Sequence, residues 1–112
     1  MSLRIGAVVL NVRDADRAVS FWTRALDYVP SASDELLLQP AAGPGTGPGL
    51  HLDTEDATHL DLYAVAADDV SVEVERLISL GATRAEDWEL PPGADFVVLR
   101  DPEGNLFCVI PA

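Results

Sequence analysis

Lysine is absent from this chain, cysteine and methionine occur once each, histidine twice, and aromatic residues make up only 6% of it. Each scarcity excludes something. With no lysine, seven arginines stand against nineteen acidic residues and the formal charge is −12. A surface of that sign repels phosphate backbones and anionic headgroups, so nucleic acid and membranes are poor partners. A single cysteine, Cys108, excludes an intrachain disulfide and any Cys-x-x-Cys metal pattern. No apolar run approaches the roughly 20 residues that span a bilayer. No basic, then apolar, then small-residue leader opens the chain, and the protein is expected to be soluble and cytoplasmic. Neither a Gly-rich phosphate loop between strand and helix nor a Gly-x-Ser-x-Gly elbow is present.

What is present is a repetition. The apolar strand Val8 to Val12 runs into Asp14 and a helical pattern that stops at Leu26-Asp27; the strand Leu60 to Val65 runs into Asp69 and a helical pattern that stops at Leu80-Gly81. Asp14 and Asp69 lie 55 positions apart and Leu26 and Leu80 lie 54 apart, close to half of the 112 residues. This spacing reads as an internal duplication of a strand-helix-strands unit. The fold class is α+β in one domain over residues 1–112, with module one at about 1–56 and module two at about 57–112. A unit that small buries too little apolar surface to stand alone, so the halves must share a core or cleft, and the functional site is expected between them.

Local chemistry fills in the units. Leu3 to Val12 has the loose alternation and β-branched content of a half-buried strand. Asp14 suits a helix N-cap, because its carboxylate can accept from the free N–H groups of the first turn. Ala18, Phe21, Trp22, Ala25 and Leu26 recur at helical spacing and are expected to form one apolar face. Asp27 stands where the chain leaves the helix and fits the left-handed region. Short strands are predicted at Leu36 to Gln39 and Leu50 to Asp53, around a loop over 40–49 with four Gly and three Pro in ten residues.

In the second half, alternation through Thr58-His59-Leu60-Asp61-Leu62-Tyr63 places His59, Asp61 and Tyr63 on one face and Leu60 and Leu62 on the other. Val70, Val74, Leu77 and Ile78 give the second helix, and Gly81 its stop. Trp88 leads into a Pro91-Pro92-Gly93 turn. Phe96 to Leu99 and Leu106 to Ile110 form a hairpin about Asp101-Pro102-Glu103-Gly104-Asn105.

Four of these segments in this order resemble the vicinal oxygen chelate superfamily, and within it the glyoxalase-like proteins of the glyoxalase/bleomycin resistance protein/dioxygenase type. They are the Phe21-Trp22 to Leu26 helix, the His59-Leu60-Asp61-Leu62-Tyr63 strand, the Leu80-Gly81-Ala82 helix end and the Asp101 to Cys108 run Asp-Pro-Glu-Gly-Asn-Leu-Phe-Cys. The resemblance spans almost the whole chain. It implies tandem βαβββ modules whose curved mixed sheets enclose a cleft, and a homodimer for which the 40–49 loop could act as a hinge. In metal-dependent relatives it implies a divalent ion held by His, Glu or Gln at four strand positions, acting as a Lewis acid on neighbouring substrate oxygens.

Carried over residue by residue, the first ligand position falls on Ala7 and the last-strand Glu position on Cys108. His59 matches the first strand of module two, and the fourth position lies near His51 or Asp53. The glyoxalase I set is therefore not intact, and His59 is the metal-ligand candidate, with Cys108 and Asp61 as further donors. A Cys108–His59 dyad and a His59–Asp61 pair are the other candidate constellations. No catalytic residue is assigned.

Two functions follow from the resemblance. One is a protein that holds a small organic molecule without chemistry, with His51, Asp53, His59, Asp61, Trp22, Trp88, Phe96 and Cys108 as lining residues. The rings would stack on the guest, and the carboxylates and negative surface would favour a cationic one. The other is a divalent-metal-dependent lyase, isomerase or dioxygenase acting on a vicinal-oxygen substrate.

Overall fold

A computed structural model describes residues 3–43, 45–64, 69–88, 90 and 92–111. In chain order its elements are β1 (Leu3–Asn11), α1 (Ala15–Leu26), β2 (Tyr28–Pro30), β3 (Leu37–Pro40), β4 (Gly49–Asp53), β5 (His59–Ala64), α2 (Asp69–Ser79), β6 (Thr83–Arg84), β7 (Val97–Arg100) and β8 (Leu106–Pro111). The chain divides into two compact units, a first over residues 6–58 and a second made of 1–5 and 59–112. The class is α+β, and each unit runs strand, helix and three strands.

The duplication is visible in the hydrogen-bonded order. The first unit has β2-β3-β4-β1 and the second β6-β7-β8-β5. In each, the first strand pairs parallel with the last, β1 with β4 and β5 with β8, while the remaining pairs are antiparallel. A parallel pair needs a crossover longer than a hairpin turn, and the helix and two strands between supply it.

In the first unit, α1 begins where Asp14, extended at φ −125°, accepts from the Arg17 N–H at 3.0 Å. It ends where Asp27 turns left-handed at φ 55° and its N–H reaches the Thr23 carbonyl. Both ends are as the sequence implied. The core is Leu38, Leu50 and Leu52, with Val8, Leu10, Ala18, Val19 and Trp22 packed on it.

The apolar face of α1 differs from expectation. Ala18, Val19 and Trp22 meet the sheet, whereas Phe21 is 59% exposed and Leu26 44% exposed. Successive helical residues are turned by about 100°, so adjacent Phe21 and Trp22 cannot both point inward. The two rings still touch edge to face at 5.0 Å. The ends of the 40–49 loop also depart from expectation, since Pro40 pairs with Tyr28 and Gly49 with Ala7. Between them the Tyr28 hydroxyl donates to the Pro48 carbonyl at 2.7 Å, and the Ala41 N–H to that of Asp27 at 3.0 Å.

The second unit packs α2 through Val70, Val74, Leu77 and Ile78 onto Ala64, Leu99, Phe107 and Val109. A two-bond cap closes α2: the Ala82 N–H reaches the Leu77 carbonyl and the Gly81 N–H that of Ile78, each at 3.0 Å, with Gly81 at φ 118°. Glu73 faces inward at 4% exposure, where Arg76 donates to it through Nε at 3.2 Å and Nη2 at 3.1 Å. The hairpin turn is held by Asp101, whose Oδ1 accepts from the Glu103 N–H at 2.9 Å and the Asn105 N–H at 2.8 Å.

Strand limits differ from the predicted ones by a residue or so, and β2 and β6 are too short for alternation to reveal. Val65, Pro44 and Pro91, assigned from the sequence to a strand, a loop and a turn, lie outside the described residues. No helix among the described residues is long and apolar enough to cross a membrane.

Candidate functional site

The pleat of the second unit sorts its side chains onto two faces. Leu62, Ala64, Val97, Leu99, Phe107 and Val109 turn toward α2. The other face takes the alternate positions, since a strand sends successive side chains to opposite sides. His59 and Asp61 stand two apart on β5. Cys108 faces Asp61 across the parallel ladder, and Val98 faces Cys108 from β7. Partners directly opposite in a ladder share a face, so three strands deliver three polar groups and an apolar neighbour to one place.

These groups are close. His59 Nε2 lies 3.4 Å from Asp61 Oδ1. One ligand atom from each of His59, Asp61 and Cys108 falls within 4.8 Å of the other two. His59 is 8% exposed, Cys108 4%, and the Asp61 side chain 13%. Burying an imidazole and a carboxylate is costly unless each finds a partner, and here the two face one another. Among the described residues no buried side-chain nitrogen or oxygen lacks a hydrogen-bond partner.

The surroundings are apolar and aromatic. Cys108 packs with Ala85 and Val98, and half-buried Trp88, Phe96, Leu106 and Ile110 join them. The Trp88 ring meets the His59 imidazole edge to face, 5.7 Å between centroids and 70° between planes. The Trp88 N–H reaches the Ala85 carbonyl at 3.1 Å, which ties the segment after β6 to this face.

The remaining candidates belong to the first unit. His51 Nε2 lies 3.1 Å from Asp34 Oδ2, a partner the sequence reading did not name. Asp53 Oδ1 accepts from the Glu55 N–H at 2.7 Å and the Asp56 N–H at 2.9 Å, holding the turn after β4. Trp22 packs in that unit's core. Ala7 is buried and carries only a methyl group. A surface groove on α1 is lined by Arg17, Ser20, Phe21, Arg24 and Ala25, and it holds neither imidazole nor carboxylate. The grouping of Asp61 with Cys108 was reachable from sequence only as far as the strand alternation went; pairing Asp61 with Cys108 depends on the β5–β8 register.

The donor set suits a divalent ion of the softer kind. Imidazole, carboxylate and thiolate are all zinc ligands, and three protein ligands are the usual number where a fourth position serves water or substrate.

The family model for the glyoxalase-like domain matches residues 7–110. None of the curated proteins compared matches the sequence. Among solved structures, the chain is similar to an NAD-dependent benzaldehyde dehydrogenase from Legionella pneumophila, with a TM-score of 0.64 at 16% identity over 94% of this chain and 96% of that one. It is similar to the hypothetical protein BH1468 from Bacillus halodurans C-125, with a TM-score of 0.59 at 11% identity over 100% and 96%. A methylmalonyl-CoA epimerase from Mycobacterium tuberculosis gives a TM-score of 0.56 at 16% identity over 98% and 87%. At these identities the likeness is one of fold.

Proposed function

We propose, for a chain that belongs to the glyoxalase-like domain family, that its work is to hold a small organic molecule on the His59–Asp61 face of the second unit, without the glyoxalase I metal set. The observation that carries this reading is Trp88 beside the His59–Asp61 pair, with Phe96 in the same cluster. The rings offer stacking area and Asp61 a negative charge, a combination suited to a cationic aromatic guest. The chain's −12 charge would draw such a guest from solution. Ala7, where the resemblance places a ligand, has no donor atom, which supports the absence of the glyoxalase set.

The test uses Trp22→Phe protein, in which Trp88 is the remaining tryptophan, freed of metal and titrated with cationic aromatic compounds. A saturable change in emission is expected, weakened about tenfold by Asp61→Asn, which corresponds to about 1.4 kcal/mol. No saturable change, or one that Asp61→Asn leaves intact, sinks the reading. The same reading carries a homodimer, for which sedimentation should give twice the 12.0 kDa chain mass.

A second reading is a divalent-metal-dependent lyase, isomerase or dioxygenase acting on a vicinal-oxygen substrate. The convergence of His59, Asp61 and Cys108 favours it. An ion there would supply Lewis acidity toward substrate oxygens. The protein's own part would be to present the three donors and cover them with the Trp88 and Phe96 rings.

A further inference from the structure

We infer that the outward side of α1, where Arg17 and Arg24 flank the exposed ring of Phe21, is a docking surface for an acidic segment of a partner protein. The segment presents two carboxylates with an apolar side chain between them. The surface lies wholly in the first unit, and none of its residues takes part in the proposed function.

Ala18, Val19 and Trp22 turn α1 toward its sheet, and Arg17, Ser20, Phe21, Arg24 and Ala25 recur at intervals of three and four residues on the other side. A lone exposed apolar residue is ordinary. Phe21, at 59% exposure, is instead bracketed by two guanidiniums. Aromatic rings and arginine are the residues enriched at interface centres. The ring is also held edge to face on Trp22 at 5.0 Å, and Trp22 packs in the core, so little side-chain freedom remains to be lost on binding. Arg24 donates through Nε to the Ser20 carbonyl at 3.0 Å and through Nη2 to Ser20 Oγ at 2.6 Å, which fixes its fork with the Nη1 edge outside those bonds. Arg17 meets Asp14 at 3.9 Å, a loose exposed pair of the kind that contributes little, so an incoming carboxylate can take its place. By contrast, Arg76 is engaged by Glu73, Arg100 by Asp87 and Arg4 by the Tyr63 ring.

Shape and charge fix the occupant. The lining residues all belong to one helix, so the groove covers a ligand from one side only. Small-molecule sites bury about 70–90% of their ligand, which one helix face does not do; a second protein brings its own surface to complete the enclosure. Nucleic acid and membranes are repelled by the −12 charge. Seven arginines stand against nineteen acidic residues, so a carboxylate finds few other places to land, and that complementarity gives the surface its specificity. Repulsion from the rest of the chain is damped beyond about 8 Å at physiological salt. Arg17 and Arg24 are separated by about 10 Å along the helix axis, with Phe21 between them. A partner helix matches this with carboxylates at i and i+7 and an apolar residue at i+3 or i+4.

A random-peptide library displayed on phage and selected on the full chain tests this without presuming a sequence. The enriched peptides should carry paired acidic residues around an apolar one. A synthetic copy of the most enriched peptide, followed by fluorescence anisotropy, should bind at least about tenfold more weakly to Arg17→Ala/Arg24→Ala protein and to Phe21→Ala protein. Arg84→Ala, which removes an exposed arginine of the second unit, should leave binding unchanged. Replacing the peptide's acids by amides should weaken its binding to unaltered protein, a readout independent of whether a variant folds, and so should raising salt from about 50 to about 500 mM. The proposal is overturned if selection enriches no peptide or only peptides without acidic residues, or if the double variant binds as the unaltered protein does. It is equally overturned if sedimentation shows a dimer that Arg17→Ala/Arg24→Ala converts to monomer, since a second copy then covers this face.

Discussion

Asp61 and Cys108 stand directly opposite each other in the parallel ladder between β5 and β8, and Asp61 also lies 3.4 Å from the imidazole of His59. One ladder position therefore joins a carboxylate to the chain's only thiol, and one pleat repeat joins it to a histidine. Removing the histidine should be felt in stability as well as binding. His59→Ala takes away a nearly buried imidazole that faces both Asp61 and the Trp88 ring, and a loss of about 1–3 kcal/mol is expected. Urea unfolding followed by circular dichroism measures it, and an unchanged midpoint would show that the pair contributes nothing to the fold.

Gly81 joins two stretches that the sequence reading treated separately. It closes α2 at φ 118°, and a Cβ placed there would stand 3.3 Å from Pro102 Cγ in the 101–105 turn. Gly81→Ala should cost at least about 1–2 kcal/mol from the left-handed backbone alone, with the Pro102 contact adding to it. Thermal unfolding reads the change, and Gly81→Asn should lose less.

The 101–105 turn makes a pH prediction. The Asn105 side-chain amide, which donates to Asp101 Oδ2 at 3.0 Å, is the largest influence on Asp101 and holds its carboxyl below the ordinary aspartate value; the backbone N–H groups of Asn105, Glu103 and Gly104 add to it. A carboxyl depressed by folding stabilises the native state above its unfolded-state value, and that contribution is lost as pH falls through the lower folded value. Asn105→Ala should raise the Asp101 titration midpoint toward the ordinary value, as followed by NMR of the side-chain carboxyl. A midpoint that does not move would assign the depression to the backbone donors.

Adjacent aromatics on α1 should behave oppositely. Trp22 packs against the Leu38, Leu50 and Leu52 core, and Trp22→Ala is expected to cost at least about 2 kcal/mol. Phe21 is exposed, and Phe21→Ala should stay within about 0.5 kcal/mol. Chemical denaturation of the two variants compares them directly, and equal losses would contradict the assigned faces.

Burial inside α2 was not legible in advance. Glu73 follows Val70 by three residues and lies on the inward stripe, yet a glutamate is ordinarily read as solvent-facing. Arg76 one turn later compensates it, with its guanidinium on the Glu73 carboxylate. Arg76→Ala should destabilise by about 1–3 kcal/mol, since the glutamate loses charged donors while staying inside. Denaturant titration tests it, and loss of the effect in a Glu73→Gln background would confirm that the two act as a pair.

What the sequence by itself determined is what local chemistry controls. Asp14 caps α1 because a carboxylate can reach free N–H groups within one turn, and Asp27 and Gly81 end helices because they tolerate the left-handed region. His59 and Asp61 share a face because strands alternate. The strand-helix-strands repeat followed from apolar periodicity recurring at close to half the chain length, and the family resemblance implied its βαβββ order. Tertiary structure alone decided that Cys108 faces Asp61, that His51 sits with Asp34, and that Phe21 rather than Trp22 turns outward. Those outcomes depend on ladder register and on the rotation of a helix over its sheet. Both are fixed by packing between residues distant in sequence, and a shift of one residue would send every side chain of a strand to the other face.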